Sequence, residues 1–239
     1  MTWRMGMKSI AVIPARSGSK GLKDKNIKLL NNKPLIWYSI QAALESHCFD
    51  EVMVSTDSEE YAKIARECGA EVPFLRSKEM STDTASSWDT VQEVLDNYKR
   101  RGREFDRVML LQPTSPLRSA EDIKSAFELF DEKNADSVVS VCEMDHSPLW
   151  SNVLPDNLCL DGFIHPELNE LSGRQSLPTY YRINGAIYLT RVTACLGANL
   201  YSKSGFAFIM PRDKSIDIDT ELDFKLAEFL ISSKNSEQY

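Results

Sequence analysis

The chain has 239 residues, 42% hydrophobic and 26% charged, with 28 Lys and Arg against 35 Asp and Glu for a net charge of −7. This length suits one α/β domain with a sizeable core, and the acidic balance argues against a nucleic-acid polymer as the main partner while allowing a local cationic site. Cysteines without a C-x-x-C pair, histidines without metal-ligand spacing and the lack of any run of about 18 apolar residues argue against a disulfide scaffold, a zinc centre and a membrane span; a cytoplasmic protein with reduced thiols is expected.

In chain order, I-A-V-I-P at 10–14 reads as a buried strand running into R-S-G-S-K-G at 16–21, with Lys23, Lys25 and Asn26 shortly after. Gly18 and Gly21 permit close backbone approach, and cations and hydroxyls surround them, a composition suited to holding a polyphosphate. The spacing matches neither G-x-x-x-x-G-K-[ST] nor G-x-G-x-x-G, and an ordinary turn uses the same residue types. Pro34 opens a helix ending near Ser46. E-V-M-V-S-T at 51–56 is a strand, and Asp57 and Ser58 can cap a helix that stops at Gly69.

E-V-P-F-L at 71–75 reads as a third short strand, followed by a hydroxyl-rich loop and a helix through Trp88, Val91, Leu95 and Tyr98. R-V-M-L-L-Q at 107–112 is a strand meeting P-T-S-P-L-R-S, in which Ser119 and Asp122 resemble a capping box for the helix of Ile123, Ala126, Phe127 and Phe130. S-V-V-S-V-C at 137–142 is the next strand. The alternation predicts a parallel sheet covered on both faces.

Residues 143–182 break that pattern with scattered Pro, Asn, Asp and Gly, and read as an excursion of loops and short strands suited to a dimerisation flap. Strands return at 185–189 and 206–210, and a last helix uses Leu222, Leu226, Phe229 and Leu230 as its apolar positions.

In an open parallel sheet the ligand crevice lies beyond the carboxyl ends of the strands. The polar clusters after the first strand and at 55–58, 112–118 and 217–220 all fall in such places. Asp217 and Asp219 flank Ile218, so on extended backbone both carboxylates face one way and could hold a hard cation; an exposed acidic strand end would read the same.

P-A-R-S-G-S-K-G at 14–21, K-N at 25–26, V-S-T-D-S at 54–58, T-A-S-S at 84–87, L-L-Q-P-T-S-P-L-R at 110–118, R-x-N-G-A-I-Y at 182–188 and D-I-D-T-E-L-D at 217–223 together resemble the CMP-sialic acid synthetases, the N-acylneuraminate cytidylyltransferases. The resemblance covers nearly the whole chain. It implies a Rossmann-like three-layer nucleotidyltransferase fold with a mostly parallel sheet. The whole of 1–239 would be one cytidylyltransferase domain, with 143–182 as a small dimerisation and sugar-site excursion of a homodimer. The implied reaction is transfer of CMP from CTP to the anomeric hydroxyl of a nonulosonic acid, with release of pyrophosphate.

By this resemblance Arg16, Ser19, Lys20, Gly21, Lys25 and Asn26 would contact the triphosphate, and Arg76, Ala85 and Ser87 would surround the cytosine. Gln112, Arg174, Asn184, Gly185, Ala186, Tyr188, Leu200 and Tyr201 would face the sugar, and Asp217 and Asp219 would hold Mg2+. Arg16 and Lys20 would stabilise charge moving onto pyrophosphate, and Asp219 is the candidate base, directly or through water. Asp57 could equally be only a helix cap, and Arg182 only a strand-closing ion pair. The chain departs from some relatives near Trp150, where they carry a lysine, and at Leu200 and Tyr201, where they line an N-acyl pocket with aromatic residues. N-acetylneuraminic acid is the first substrate reading, with legionaminic, pseudaminic or another keto-acid sugar as alternatives. A nucleotide-binding protein without catalysis is the reading from a different class.

Overall fold

The computed structural model describes residues 6–18, 21–82, 84–164, 177–192 and 200–236. In chain order it places β1 (Ser9–Pro14), a small hairpin of β2 (Leu29–Leu30) and β3 (Lys33–Pro34), α1 (Leu35–Ser46), β4 (Glu51–Ser55), α2 (Glu59–Glu67), α3 (Ser87–Arg100) and β5 (Arg107–Leu110). There follow α4 (Ala120–Glu132), β6 (Ser137–Glu143), β7 (Tyr181–Arg191), β8 (Gly205–Ile209) and α5 (Glu221–Ser236). Six strands form one sheet in the order β4-β1-β5-β7-β6-β8. The β1–β4, β1–β5 and β6–β8 pairs are parallel, and β7 runs antiparallel to both its neighbours.

The alternation of β1 divides the core. Ala11 and Ile13 face α1 and α4, packing with Ile36, Ile40, Phe127 and Phe130, while Ile10 and Val12 face α3, packing with Val91, Tyr98 and Leu110. Helices therefore cover both faces, which is why the parallel strands read as continuous apolar runs. Beyond β5 the α3 face is barer, and Ile183 and Ile209 are 45% and 58% exposed. A third cluster joins Leu30 and Leu35 to Ile218, Phe224 and Ala227, fastening α5 and the 217–219 segment to the hairpin. Helix starts follow the sequence: Ser86 with Asp89 and Ser119 with Asp122 form reciprocal capping boxes.

Three expectations are corrected. Residues 71–75 form no strand; Glu71 makes a single bridge to Met53, and Pro73, lacking an N–H, cannot extend the ladder. On α5 the buried side carries Phe224 and Ala227, whereas Leu222, Leu226 and Phe229 are 75%, 43% and 66% exposed, because Ile218 and Phe224 set the helix phase against the hairpin. Among the described residues of the excursion there is no strand before Tyr181, only a short 3-10 turn at Pro148–Trp150. No helix among the described residues is long and apolar enough to cross a membrane.

Candidate active site

A cleft of about 550 Å3 opens beyond the carboxyl ends of β1 and β5. The fold brings to it Arg16, Gly21, Lys25, Asn26, Arg76, Ala85, Ser87, Gln112, Asp217 and Asp219, segments up to two hundred residues apart in sequence. Ser19, Lys20 and Arg174 lie outside the described residues.

One wall is the loop after β1. Asp57 clamps it, its two carboxylate oxygens accepting the Ser17 backbone N–H at 2.8 Å and the Ser17 hydroxyl at 2.9 Å. The start of α2 is capped instead by Ser58, which accepts the Tyr61 N–H. At the far end of the loop the Asn26 amide donates to the Arg16 carbonyl at 3.1 Å, and Tyr61 donates to Asp24. Lys25 reaches across to the Ile218 carbonyl at 2.6 Å and Asp219 Oδ1 at 3.1 Å. A Cβ on Gly21 would stand 3.1 Å from the Asp219 carbonyl oxygen, so the loop packs against this segment at its backbone. Arg76, buried behind, donates to the Ser55 hydroxyl and carbonyl at 3.0 and 2.6 Å. Burial holds its guanidinium down to about 10, against the pull of Asp57 and Glu93.

The opposite wall is Gln112–Thr114 with a bulge in β7. Val139 pairs with Tyr188 and Val141 with Ile183, so residues 184–187 crowd opposite Ser140 alone. The Ser140 hydroxyl donates to Asn184 Oδ1 at 2.5 Å and accepts the Ile187 N–H at 2.7 Å; the Asn184 amide donates to Ser215 Oγ at 2.9 Å. Asn184, Gly185 and Ala186 are thus all buried in the wall, and Gly185 packs directly behind Gln112 and Asp217, which line the cleft. The Gly185 φ is 79°, which demands glycine, and a Cβ there would lie 2.7 Å from Gln112 Oε1 and 3.5 Å from Asp217 Oδ2, so it would push the Gln112 side chain aside.

Burial, and then the charge of Asp219, raise the Asp217 pKa above the ordinary carboxylate range, opposed by a hydrogen bond from Thr114. Thr114 also accepts the Ile218 N–H at 2.9 Å, which holds the acidic segment against this wall. Tyr188 sets its ring edge on Trp88, and burial first, then Tyr201 and Asp217, push its hydroxyl up to about 12. Leu200 and Tyr201 line a separate recess of about 260 Å3 with Val139, Val141 and Ile183, on the sheet face that Tyr188 shares. Arg182 donates to the Ser215 carbonyl, and Trp150 lines another recess beside Glu143 and Tyr180.

The two carboxylates fit a hard divalent cation. They share one wall of the cleft with Ile218 turned into the core between them, and the Asp219 side chain is 76% exposed. No group of three or more candidate ligands occurs among the described residues, so such an ion would draw its remaining oxygens from phosphate and water.

Asp57 and Arg118 are the residues that reasoning from sequence passed over. The signal for Asp57 was a pair of cap-type residues, Asp57 and Ser58, where one suffices.

The family model described as cytidylyltransferase matches residues 10–205. A CMP-N,N'-diacetyllegionaminic acid synthase of Legionella pneumophila is 39% identical over 228 residues, covering 94% of this chain and 97% of that protein. An N-acylneuraminate cytidylyltransferase of Streptococcus agalactiae is 40% identical over 223 residues, 91% of this chain but 52% of that protein, so the chain spans about half of that longer relative. Among solved structures, a CMP:2-keto-3-deoxy-manno-octonic acid synthetase complexed with CTP shares the fold, with a TM-score of 0.69 at 18% identity over 95% of this chain and 99% of that one.

Proposed function

Because this chain belongs to the cytidylyltransferase family, and is thereby a nucleotidyltransferase, we propose that it transfers CMP from CTP to the anomeric hydroxyl of a nonulosonic, sialic-type acid and releases pyrophosphate. The observation that carries this reading is the single cleft in which Arg16, Lys25 and Arg76 stand across from Asp217 and Asp219. A triphosphate needs both halves, cations for its charge and oxygen ligands for its counter-ion.

In this reading the sugar hydroxyl attacks the α-phosphorus in line with the departing pyrophosphate, so the protein's work is positioning and charge dispersal. Arg16 and Lys20 take up the charge that moves to the β-phosphate, with Ser19, Gly21 and Lys25 along the same loop. Asn26 contributes by fixing the Arg16 carbonyl. Arg76, Ala85 and Ser87 frame the cytosine, and Gln112, backed by Gly185, and Tyr188 receive the sugar, with Arg174 a partner for its carboxylate. Asp217 and Asp219 would hold Mg2+, which when bound supplies positive charge to the phosphate oxygens. Asp219 accepts the hydroxyl proton once Lys25 has turned from it to the phosphates. We propose further that the protein works as a cytoplasmic homodimer, with 143–182 projecting to the partner.

N-acetylneuraminic acid is the first substrate reading. A second, N,N'-diacetyllegionaminic acid, is favoured by the apolar recess at Leu200 and Tyr201, which could take another acetamido group, and by the Legionella relative that this chain matches nearly end to end. The test supplies the protein with CTP and Mg2+ and a panel of N-acetylneuraminic, N,N'-diacetyllegionaminic, pseudaminic and 3-deoxy-manno-octulosonic acids, following pyrophosphate and CMP-sugar mass. Sugar-dependent release with a nine-carbon acid is expected. Release without sugar dependence, or none with any acid, would sink the proposal and favour a nucleotide binder.

A further inference from the structure

Arg118 is 2% exposed and lies beneath the wall of Gln112 and the β7 bulge. Its Nε donates to the Ala186 carbonyl at 3.0 Å, Nη1 to the Ser39 hydroxyl and the Ser115 carbonyl at 3.2 Å, and Nη2 to the Ser39 hydroxyl at 3.0 Å and the Gln112 carbonyl at 2.9 Å. Each of the guanidinium donors finds an oxygen, and every one of those oxygens is neutral. The nearest acid to act on it, Asp122, spends its carboxylate on Ser119 and Lys214. Burial holds the group down to about 9, so it carries its charge at neutral pH without an ion-pair partner.

A lone buried cation is costly when burying an apolar side chain would suffice, so the position calls for an explanation. Its acceptors supply one. Gln112 lines the cleft and Ala186 belongs to the β7 bulge packed behind it, where Gln112 Oε1 and Gly185 nearly touch, and Ser39 ties Gln112 to α1. Resting on the cytidylyltransferase reading, we propose that Arg118 is a positioning residue for the acceptor acid: its guanidinium draws the Gln112 and Ala186 carbonyls together and fixes the Gln112–Gly185 contact, so that the Gln112 side chain is held where it receives the sugar. The CTP side of the cleft shares no hydrogen bond with Arg118 among the described residues.

The test compares Arg118→Lys and Arg118→Met with the parent protein, using the acid that the parent turns over; a parent inactive on every acid would fail the underlying reading and not this one. Arg118→Lys keeps the charge and loses the fork, and should raise KM for the sugar acid by about tenfold while the KM for CTP stays within about twofold. Arg118→Met should raise the sugar KM further and lower kcat, so that lysine partly rescues it. Should either variant fail to fold, Ser39→Ala removes one shared acceptor and leaves the cation, and a rise of about threefold in the sugar KM alone is expected. Folded variants that leave the sugar KM unchanged, or that weaken CTP and sugar alike, would overturn the assignment.

Discussion

On the wall built from residues 15–26 the ties are half-buried charged groups, Asp57 on Ser17 and Lys25 on an Asp219 whose side chain is 76% exposed, whereas across the cleft Arg118 and Ser39 are buried to 2% and 0%. Only the Asp219 end of the Lys25 ion pair stands in water, since the Lys25 side chain is 13% exposed, so this tie is weaker than a fully buried one and more readily exchanged. Leaving a donor of a buried charged group without its acceptor costs about 1–3 kcal/mol or more, so the Gln112–Gly185 wall resists rearrangement. The loop wall is the adaptable one, and the Gln112–Gly185 wall is preformed.

The largest effect should come from the acidic segment that Lys25 ties to the adaptable wall. Asp219→Asn is expected to cut turnover by about 100-fold or more while the melting temperature holds, because the acid is exposed and its loss only frees Lys25. Pyrophosphate release and a thermal melt check both halves of that statement, and near-normal turnover would remove Asp219 from the reaction. On the preformed wall, Gly185→Ala should cost about 1–3 kcal/mol of stability, since its φ is left-handed and the new methyl meets Gln112. Denaturant unfolding alongside the sugar KM would show stability and sugar binding falling together. A smaller effect is expected of Asp57→Asn, which retains one acceptor for Ser17; the KM for CTP should rise about threefold with the sugar KM unmoved. If sugar binding suffered equally, the two walls would not be independent.

Much of this was legible in the chain. Apolar runs, with the Ser119–Asp122 capping box, placed every long helix and the principal strands, because those signals are local; the matching box at Ser86 and Asp89 was not read. Three of the polar clusters at strand ends line the cleft, because topology forces them together, while 55–58 supports it from behind through Asp57. What stayed hidden depends on distant contacts: Arg118 acts on Ala186 across 68 residues of sequence and Ser140 on Asn184 across 44. Asp57 looked like a cap because aspartate is a good cap, and only the fold shows its carboxylate turned to the loop. Leu222, Leu226 and Phe229 do form one helical stripe, yet burial follows Phe224 and Ala227, whose partners Leu30 and Leu35 lie far upstream.

The antiparallel β7 has a further consequence, for the order in which the molecule comes together. Strands β4, β1 and β5 make one half of the sheet and β6 with β8 the other, and no ladder joins the halves except through β7. A growing chain has therefore made β6 before it has anything to bind that strand to β5, and β8, which follows β7 in the chain, joins β6 last. Because the bulge that carries Gly185 sits in β7, joining the two halves of the sheet and completing this wall of the cleft are one event. Molecules arrested before that step would have no finished cleft, so the active fraction of a refolding sample should track the docking of β7.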